Sequence, residues 1–411
     1  MRGNRHGAVT VSTDANPAVP EVLLRQVPNF AADPAGSLYS YFDQLREKHP
    51  VVRCVSSEGS WYAFLRAQTA KAILMDTATF RTYHPDRSES GYFEEELLPA
   101  SKDPPEHKHY RRLIQNAFGV RTAKQLEPRI REFAHTLIDE IAPTGGCDFI
   151  SAFAAPYPGL VFLEVMRFPL EDLQRLSGDD SRFWTPPDSD PDGSVRKAGL
   201  EGLRTYVREQ LAAKRANPDA SVLSELTSAT IEGRPLSDRE IVSYGLLACI
   251  GGMHTTKAVL GRMMLHLAMH PTQRARLRVE PALRPHFLDE VLRVYAIGES
   301  FRFVARKITV DGCELTRGDR ISVHWPAVNR DPHEFSDPTE VHMDKAARAH
   351  LAFGYGPHFC VGMHLARHDM LIALDTWLER IPDFEIASAE PILERVWGGA
   401  GLLSLPLRWN T

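Results

Sequence analysis

The sequence predicts a mainly α-helical fold with small β-sheets. Most of the 411 residues place apolar side chains at helical spacing, and one such run is far longer than an average helix. Strand-like runs are few and short, and they cover residues 51–55 with 61–64, residues 302–310 and residues 320–325. Hydrophobic residues form 43% of the chain, which is enough to bury a large core.

The organisation of the chain predicts one large domain, residues 28–411, preceded by a loose amino-terminal arm, residues 1–27. The sequence contains no internal repeat and no long low-complexity linker. Residues 179–194 are rich in Asp, Pro and Ser, which predicts a surface loop between two helices.

Charge and hydropathy exclude several classes of function. The net charge of −5 gives no indication of a nucleic-acid partner or of an anionic membrane surface. The amino-terminal residues lack the order of a signal peptide, and no run approaches the ~20 apolar residues that cross a bilayer. We therefore predict a cytoplasmic protein that binds neither nucleic acid nor membrane.

The longest predicted helix runs from Ser237 to His270, where Pro271 stops it. A capping box and a hydrophobic staple mark its start, formed by Ser237 with Glu240 and by Leu236 with Ile241. About 34 residues at 1.5 Å each span ~50 Å, enough to cross the whole molecule. Gly251 and Gly252 lie in the middle, which indicates close helix packing, a flat group against the backbone, or a bend.

Two further helices lie towards the carboxyl end. One covers residues 285–295, where Glu290 and Arg293 share a face and form an ion pair. The other begins just after Cys360 and runs through Arg380.

Cys360 differs from the other cysteines in its surroundings. The five cysteines are far apart and form no CxxC pair, which argues against a disulfide framework or a zinc site. Cys360 lies in a glycine-rich loop, residues 353–362, at the start of a helix, where free N–H groups favour a thiolate. A thiolate is a strong, soft donor to haem iron. The alternative is a buried structural cysteine.

The loop resembles the haem-binding signature of the cytochrome P-450 superfamily. Its fixed positions are Phe353, Gly354, Gly356, His358, Cys360 and Gly362. Three other segments are similar to family motifs: Glu290 to Arg293, residues 329–338 and residues 103–111. The resemblance covers nearly the whole chain and is closest to soluble bacterial members of the camphor-hydroxylating type.

The resemblance implies a single-domain fold with haem b between the long central helix and the helix after the cysteine loop. Cys360 would be the axial ligand of the iron, held in a loop whose shape depends on Phe353, Gly354 and Gly362. The two propionates would be held by His107, Arg111, Arg302 and His358. Glu290 and Arg293 would stabilise the core beside the haem, and Arg330 or Arg348 would complete their network.

The centre of the long helix, residues 251–256, resembles the family's oxygen-activation motif, which includes Gly251 and Gly252. Thr255 would be the alcohol that helps to deliver protons to dioxygen. Its hydroxyl can also bond back to the carbonyl of Gly251 and bend the helix. His254 stands where the family has an acid. We expect His254 either to relay protons or to point outward, leaving the path to other groups.

By position in the family, an apolar pocket would bind a small lipophilic substrate, such as a terpenoid, an aromatic compound or a natural-product intermediate. Its expected residues are Tyr92, Phe93, Leu97, Leu98, Leu247, Ile250, Ile297, Gly298, Gly399 and Ala400, with Glu299 beside them. Residues 94–96 are three consecutive glutamates, which form a solvated turn or meet a basic group of the substrate.

The resemblance implies a monooxygenase that takes electrons from a separate ferredoxin and its NAD(P)H-dependent reductase. Lys108, Arg112 and Arg367 are candidate contacts for an acidic ferredoxin, or ordinary surface charges. The alternatives are a haem-thiolate enzyme that uses peroxide or couples substrates oxidatively, and a haem-thiolate sensor. A sensor requires an output domain, which the sequence does not indicate.

Overall fold

The computed structural model of the protein describes residues 19–23, 37–56, 59–83, 96–186, 189–344, 349–388, 391–395 and 401–411. Most of the predicted arm lies outside these ranges. Within it, Glu21–Leu23 forms strand β1, which pairs in parallel with residues 53–55. The prediction of a loose arm is therefore wrong at this strand, where Val22 is fully buried.

Helices dominate the described part of the chain, as predicted. They are α1 (Leu38–Lys48), α2 (Ala67–Met75), α3 (Glu106–Arg112), α4 (Val120–Ile141), α5 (Pro156–Met166), α6 (Leu173–Phe183), α7 (Ser194–Ala216), α8 (Val222–Ser228), α9 (Asp238–Gly252), α10 (His254–Met269), α11 (Pro271–Val279), α12 (Arg284–Val294), α13 (Trp325–Val328) and α14 (Met363–Arg380). The helix predicted at residues 285–295 is α12, and the one predicted after Cys360 is α14.

The strands are short. They are β2 (Val51–Ser56), β3 (Gly59–Phe64), β4 (Phe80–Arg81), β5 (Gly146–Asp148), β6 (Thr230–Ile231), β7 (Arg234–Pro235), β8 (Glu299–Val304), β9 (Ile308–Val310), β10 (Cys313–Leu315), β11 (Arg320–His324), β12 (Glu385–Ile386), β13 (Glu394–Arg395), β14 (Gly401–Leu402) and β15 (Pro406–Arg408). The largest sheet has the order β1-β2-β3-β11-β8-β4. Its β1–β2 and β3–β11 pairs are parallel and the others antiparallel.

Whereas α1 and α2 pack in two smaller clusters with strands of the large sheet, two hydrophobic cores contain most of the long helices. One lies between α4, α10, α12 and α14, where Trp377 packs edge-on against Phe149 at 4.9 Å. The other lies between α5, α6, α7, α8 and α9. Because α9 belongs to one core and α10 to the other, this pair of helices crosses the molecule as the length of the apolar run predicted.

The predicted long helix is interrupted at Met253, where α9 ends and α10 begins (φ −96°, ψ −56°). Its start is confirmed, because Ser237 and Glu240 form the predicted capping box. Its end is also confirmed, because α10 ends at Met269 and Pro271 opens the next helix. Of the three interpretations of Gly251 and Gly252, the structure therefore shows a bend.

Two predicted segments are correct only in part. Residues 179–183 of the predicted loop belong to α6, because Asp179 bonds to Arg182 and Asp180 accepts a hydrogen bond from the indole of Trp184 at 3.1 Å. Composition alone could not show these partners. The strand-like run 302–310 is divided into β8 and β9, and β9 pairs with β10 outside the large sheet.

Within the described ranges, no helix combines the length and the apolar character needed to cross a membrane.

Candidate functional site

The cysteine loop folds back on itself beside α2 and α14. The N–H of Cys360 donates to the carbonyl of Phe353 at 2.8 Å. Gly354 and Gly356 have φ of 83° and 71°, a conformation that favours glycine. A side chain at Gly356 would also approach the backbone of Leu74 to 3.0 Å. Gly354 and Gly356 are therefore required by the path of the loop.

Cys360 is exposed, whereas the other four cysteines are buried or half-buried. The pKa of its thiol is nevertheless raised, because burial outweighs the backbone N–H groups of Gly362 and Met363 and the charge of Arg111. The thiol is thus accessible but surrounded by protein rather than by bulk water. The N–H groups at the helix start do favour the thiolate, as predicted, but burial is the larger influence and the net shift of the pKa is upward. A metal cation at the sulfur would reverse that balance.

The four predicted propionate ligands lie together. The rings of His107 and His358 are 4.2 Å apart, and both side chains interact electrostatically with Arg111 and Arg302. Burial, followed by His358 and Arg111, lowers the pKa of His107 to about 4. Burial also lowers the pKa of Arg302 to about 10, which Asp103 opposes. Arg111 and Arg302 are thus desolvated cations beside two histidine rings, and buried cations of this kind need an anion.

The residues of this cluster fit the haem propionates. Among the described residues, the buried Nε of Arg302 has no hydrogen-bond partner. Asp103 is already bound by the N–H and hydroxyl of Thr82, at 3.1 and 3.0 Å, and lies 3.8 Å from His358. Buried cations are stabilised by anionic hydrogen-bond acceptors, and two propionate carboxylates would supply them.

The predicted pair of Glu290 and Arg293 is a buried, bidentate ion pair. The guanidinium donates to both carboxylate oxygens at 2.8 Å and to the carbonyls of Asn329, Pro338 and Glu340 at 2.7–3.1 Å. α12 is therefore tied to the segment that precedes the cysteine loop. Of the two arginines expected to complete the network, Arg330 pairs with Asp43 on α1 instead, and Arg348 lies outside the described residues.

The bend between α9 and α10 has a local cause. The hydroxyl of Thr255 donates to the carbonyl of Gly251 at 2.9 Å, which is the predicted back-bond. A side chain at Gly252 would meet the ring of Phe162 at 3.1 Å, whereas one at Gly251 would meet nothing within 4 Å. Gly252 thus lies close to Phe162 of α5, although Gly251, Gly252 and Thr255 are all exposed.

His254 faces α6. Its buried imidazole packs on the ring of Trp184, with centroids 4.9 Å apart, and its Nδ1 lies 3.7 Å from a carboxylate oxygen of Asp180. Because successive helix residues point about 100° apart, His254 and Thr255 are on different sides of α10. The role of His254 stays a prediction.

The described residues of the expected pocket fall into two groups. Leu97, Leu98 and Ile250 are buried in one cluster, against which Leu247 packs. The N–H of Leu98 donates to the hydroxyl of Ser243 at 2.7 Å, which ties this loop to α9. Ile297 packs against the other core, and the neighbouring Gly298 has a left-handed φ of 75°.

Several pocket expectations need correction or lie outside the structure. Tyr92, Phe93, Gly399 and Ala400 are outside the described residues. Of the three glutamates, Glu96 pairs with Lys102 at 2.7 Å, and the other two are not described. Glu299 belongs elsewhere, because its carboxyl oxygens are buried in the large sheet beside Trp61 and Ser322.

The three candidate ferredoxin contacts differ in exposure and in pairing. Lys108 and Arg112 are exposed on α3. Arg367 instead pairs with Asp289 on α12, with one N–O distance of 2.9 Å. This intramolecular pair makes Arg367 a poorer docking residue than predicted.

Sequence reasoning missed three side chains of this region. Asp103 opens the motif that contains His107 and Arg111, so its position was a usable signal. Asp180 and Trp184 gave no such signal, because they approach His254 only after α6 packs against α10.

Comparison with known proteins agrees with this geometry. The family described as cytochrome P-450 matches residues 195–395. A probable cytochrome P-450, 127A1, of Sinorhizobium fredii is 30% identical and aligns over 95% of this chain and 96% of its own. The cyclomarin C epoxidase CymV of Salinispora arenicola is also 30% identical, over 93% and 98%.

Among solved structures, the crystal structure of CYP101J2 superposes with a TM-score of 0.84 at 26% identity, covering 97% of this chain and 100% of that one. Members of this family bind haem through a cysteine thiolate. The predicted fold class and family are therefore confirmed. The chain belongs to the cytochrome P-450 family and is a haem-thiolate monooxygenase.

Proposed function

We propose that the protein inserts one oxygen atom from dioxygen into a small lipophilic natural-product intermediate, with Cys360 as the haem ligand. The observation that carries this proposal is the accessible thiol of Cys360 at the start of α14, beside the desolvated cation Arg111. Bound haem supplies the oxidising chemistry, in which one atom of dioxygen enters the substrate and the other leaves as water.

The residues around Cys360 hold the group and tune the ligand. N–H groups of Gly362 and Met363 stabilise negative charge on the sulfur. His107, Arg111, Arg302 and His358 would bind the propionates through charge-assisted hydrogen bonds. These contacts would fix the orientation of the haem, and none of the four side chains would take part in the reaction itself.

On the substrate side, the hydroxyl of Thr255 is the group that donates and accepts protons. Its present bond to Gly251 holds it at the bend, where both residues are exposed. Leu97, Leu98 and Ile250 give an apolar lining, which suits a lipophilic substrate with few polar anchors. A natural-product substrate is supported by the relative named as an epoxidase of cyclomarin C.

Electrons would come from a ferredoxin and its NAD(P)H-dependent reductase. Lys108 and Arg112 are exposed on α3, the helix that also carries Arg111, whose charge acts on Cys360. Basic residues at such a face attract an acidic partner and raise its association rate. Reversing both charges should slow reduction by the ferredoxin and leave reduction by dithionite unchanged.

The test begins with the visible spectrum of the ferric protein, titrated with terpenoids, alkoxybenzoates, indoles and cyclic dipeptides. A shift to high spin with one class identifies the substrate class. Turnover of that compound with a surrogate ferredoxin system under isotopically labelled dioxygen should then place one labelled atom in the product. A product without label would contradict the proposal.

A second candidate is an enzyme driven by peroxide. It is favoured by one observation, that His254 stands at the position where the family has an acid. Turnover with added peroxide that exceeds turnover with the ferredoxin system would support this alternative.

A further inference from the structure

A polar cluster lies on the side of the α9–α10 bend that faces α6. The proposed function assigns no role to it. It joins three elements: Asp180 and Trp184 at the end of α6, His254 and Lys257 on α10, and Arg395 on β13. Asp180 and His254 are 8% and 5% exposed, so most of the pair is shielded from water. Buried charges at such a junction require a structural or functional reason.

The cluster holds Asp180 in one orientation. The indole N–H of Trp184 donates to Oδ1 of Asp180 at 3.1 Å, while Oδ2 lies 3.7 Å from Nδ1 of His254. Arg395 in turn donates to the carbonyl of Trp184 at 2.8 Å. One carboxylate oxygen is thus fixed by the indole, and the other is directed at the imidazole.

The surrounding charges are mainly cationic. Burial lowers the pKa of Lys257 and of Arg395, and Asp180 opposes that effect at both. Asp148 on β5 acts on Lys257, and the thiol of Cys249 on α9 is close enough to be influenced by Asp180. Asp180 is therefore the carboxylate that this group of cations and the imidazole share.

The position of the cluster links it to the reaction. His254 follows Met253, where the helix is interrupted, and precedes Thr255, whose hydroxyl is held at the bend. Each turnover of the proposed function consumes two protons and two electrons as dioxygen gives one atom to the substrate and one to water. An imidazole beside the bend can carry such protons near neutral pH if a neighbouring carboxylate fixes its orientation.

We propose that Asp180 on α6 is a positioning residue for His254, which carries protons to the bend beside Thr255. In this arrangement Oδ2 of Asp180, which lies 3.7 Å from Nδ1 of His254, attracts the Nδ1–H and holds the imidazole in one orientation, and His254 gains and releases its second proton at Nε2. The acid that the family places before the threonine is thus supplied by another helix. This inference rests on the proposed function and adds to it the source of protons.

The experiment compares Asp180→Asn, His254→Gln and the double variant with the wild-type holoenzyme. Asp179→Asn is the matched control, because Asp179 is the neighbouring carboxylate of α6 and bonds to Arg182 instead. We expect Asp180→Asn and His254→Gln each to lower the turnover number about 100-fold, the lower end of the effect of a positioned proton donor. The spectral Kd for substrate should not change, and the double variant should lose no more than His254→Gln alone.

Three readouts separate positioning from a merely structural role. Both single variants should couple NAD(P)H consumption to product less tightly than the wild type, because proton delivery rather than reduction is impaired. Asp180→Glu, which keeps the carboxylate, should recover most of the turnover. Nitrogen NMR of labelled histidine in the reduced, carbon monoxide-bound protein, assigned by comparison with His254→Gln, should place the imidazole proton on Nδ1. In Asp180→Asn that tautomer should be lost.

The proposal is overturned if Asp180→Asn turns over like the wild type, or if its tautomer is that of the wild type. An equal loss in the Asp179→Asn control would also overturn it, since the effect would then come from α6 as a whole. If the wild type forms no oxygenated product, the proposed function fails. The tautomer measurement does not depend on product formation and would still decide whether Asp180 orients His254.

Discussion

Glu299 makes the stability of the protein depend on pH. Its carboxyl oxygens are buried in the large sheet, and this burial raises its pKa from 4.5 to about 8, although Ser322, Arg320 and Trp61 oppose the shift. The folded protein therefore keeps the proton to a higher pH than the unfolded chain. Stability falls as the pH rises from 4.5 to about 8, by about 1.4 kcal/mol per pH unit and about 5 kcal/mol at most.

His324 determines the pH range in which this effect is measured cleanly. It is buried in the same sheet, and burial lowers its pKa from 6.5 to about 3. For a depressed histidine pKa, stability is lost as the pH falls below 6.5, which is the opposite direction to Glu299. Between pH 6.5 and 8, Glu299 acts without this opposing contribution.

Replacing Glu299 by Gln removes the ionisation and keeps the shape of the side chain. The free energy of unfolding of Glu299→Gln relative to wild type should rise by about 2 kcal/mol from pH 6.5 to pH 8. Denaturant unfolding followed by circular dichroism measures this difference. Glu314→Gln is the control, because Glu314 is 68% exposed and should show no such change. Parallel curves for wild type and Glu299→Gln would refute the reasoning.

Three other changes test separate parts of the structure. Glu290→Gln leaves the buried guanidinium of Arg293 without its carboxylate, and denaturant unfolding should show a loss of about 3–5 kcal/mol, whereas an unchanged midpoint would contradict a buried ion pair. Gly252→Ala places its methyl group 3.1 Å from the ring of Phe162 and should be less stable by about 1 kcal/mol than Gly251→Ala, which has room for its methyl group and should be neutral or stabilising in the same assay. Arg302→Gln should weaken haem retention by about 1.5–3 kcal/mol, measured as faster haem transfer to apomyoglobin; equal transfer rates would exclude it as a propionate ligand.

The helices could be predicted where the sequence carries local signals. The capping box at Ser237 and the proline at position 271 bound the α9–α10 pair correctly, because caps and helix-breaking residues act within a few residues of each other. The helices α12 and α14 could be predicted for the same reason, because their apolar periodicity is contained within each segment. The bend at Met253 was only one of several interpretations of the paired glycines, because the pattern alone does not distinguish a bend from close packing against another helix, here at Phe162 of α5.

In the site, too, local patterns could be predicted and contacts between distant elements could not. The cysteine loop and the cations near it could be found from their pattern, because the motif fixes residue types at fixed spacing. The direction of His254 could not, since it is set by Asp180 and Trp184, which approach from α6. The loop prediction for residues 179–194 failed at residues 179–183 for the same reason: composition describes a residue without its tertiary partners. The burial of Glu299 likewise depends on strands that are distant in sequence.

The identity of the iron ligand is the central claim, and the absorption spectrum of the reduced, carbon monoxide-bound protein tests it most directly. We predict a thiolate-type Soret band for the wild type and for Cys147→Ser, a control at a half-buried cysteine. Cys360→His should move the band to the position of a histidine-ligated haem. A thiolate-type band that persists in Cys360→His would contradict Cys360 as the ligand.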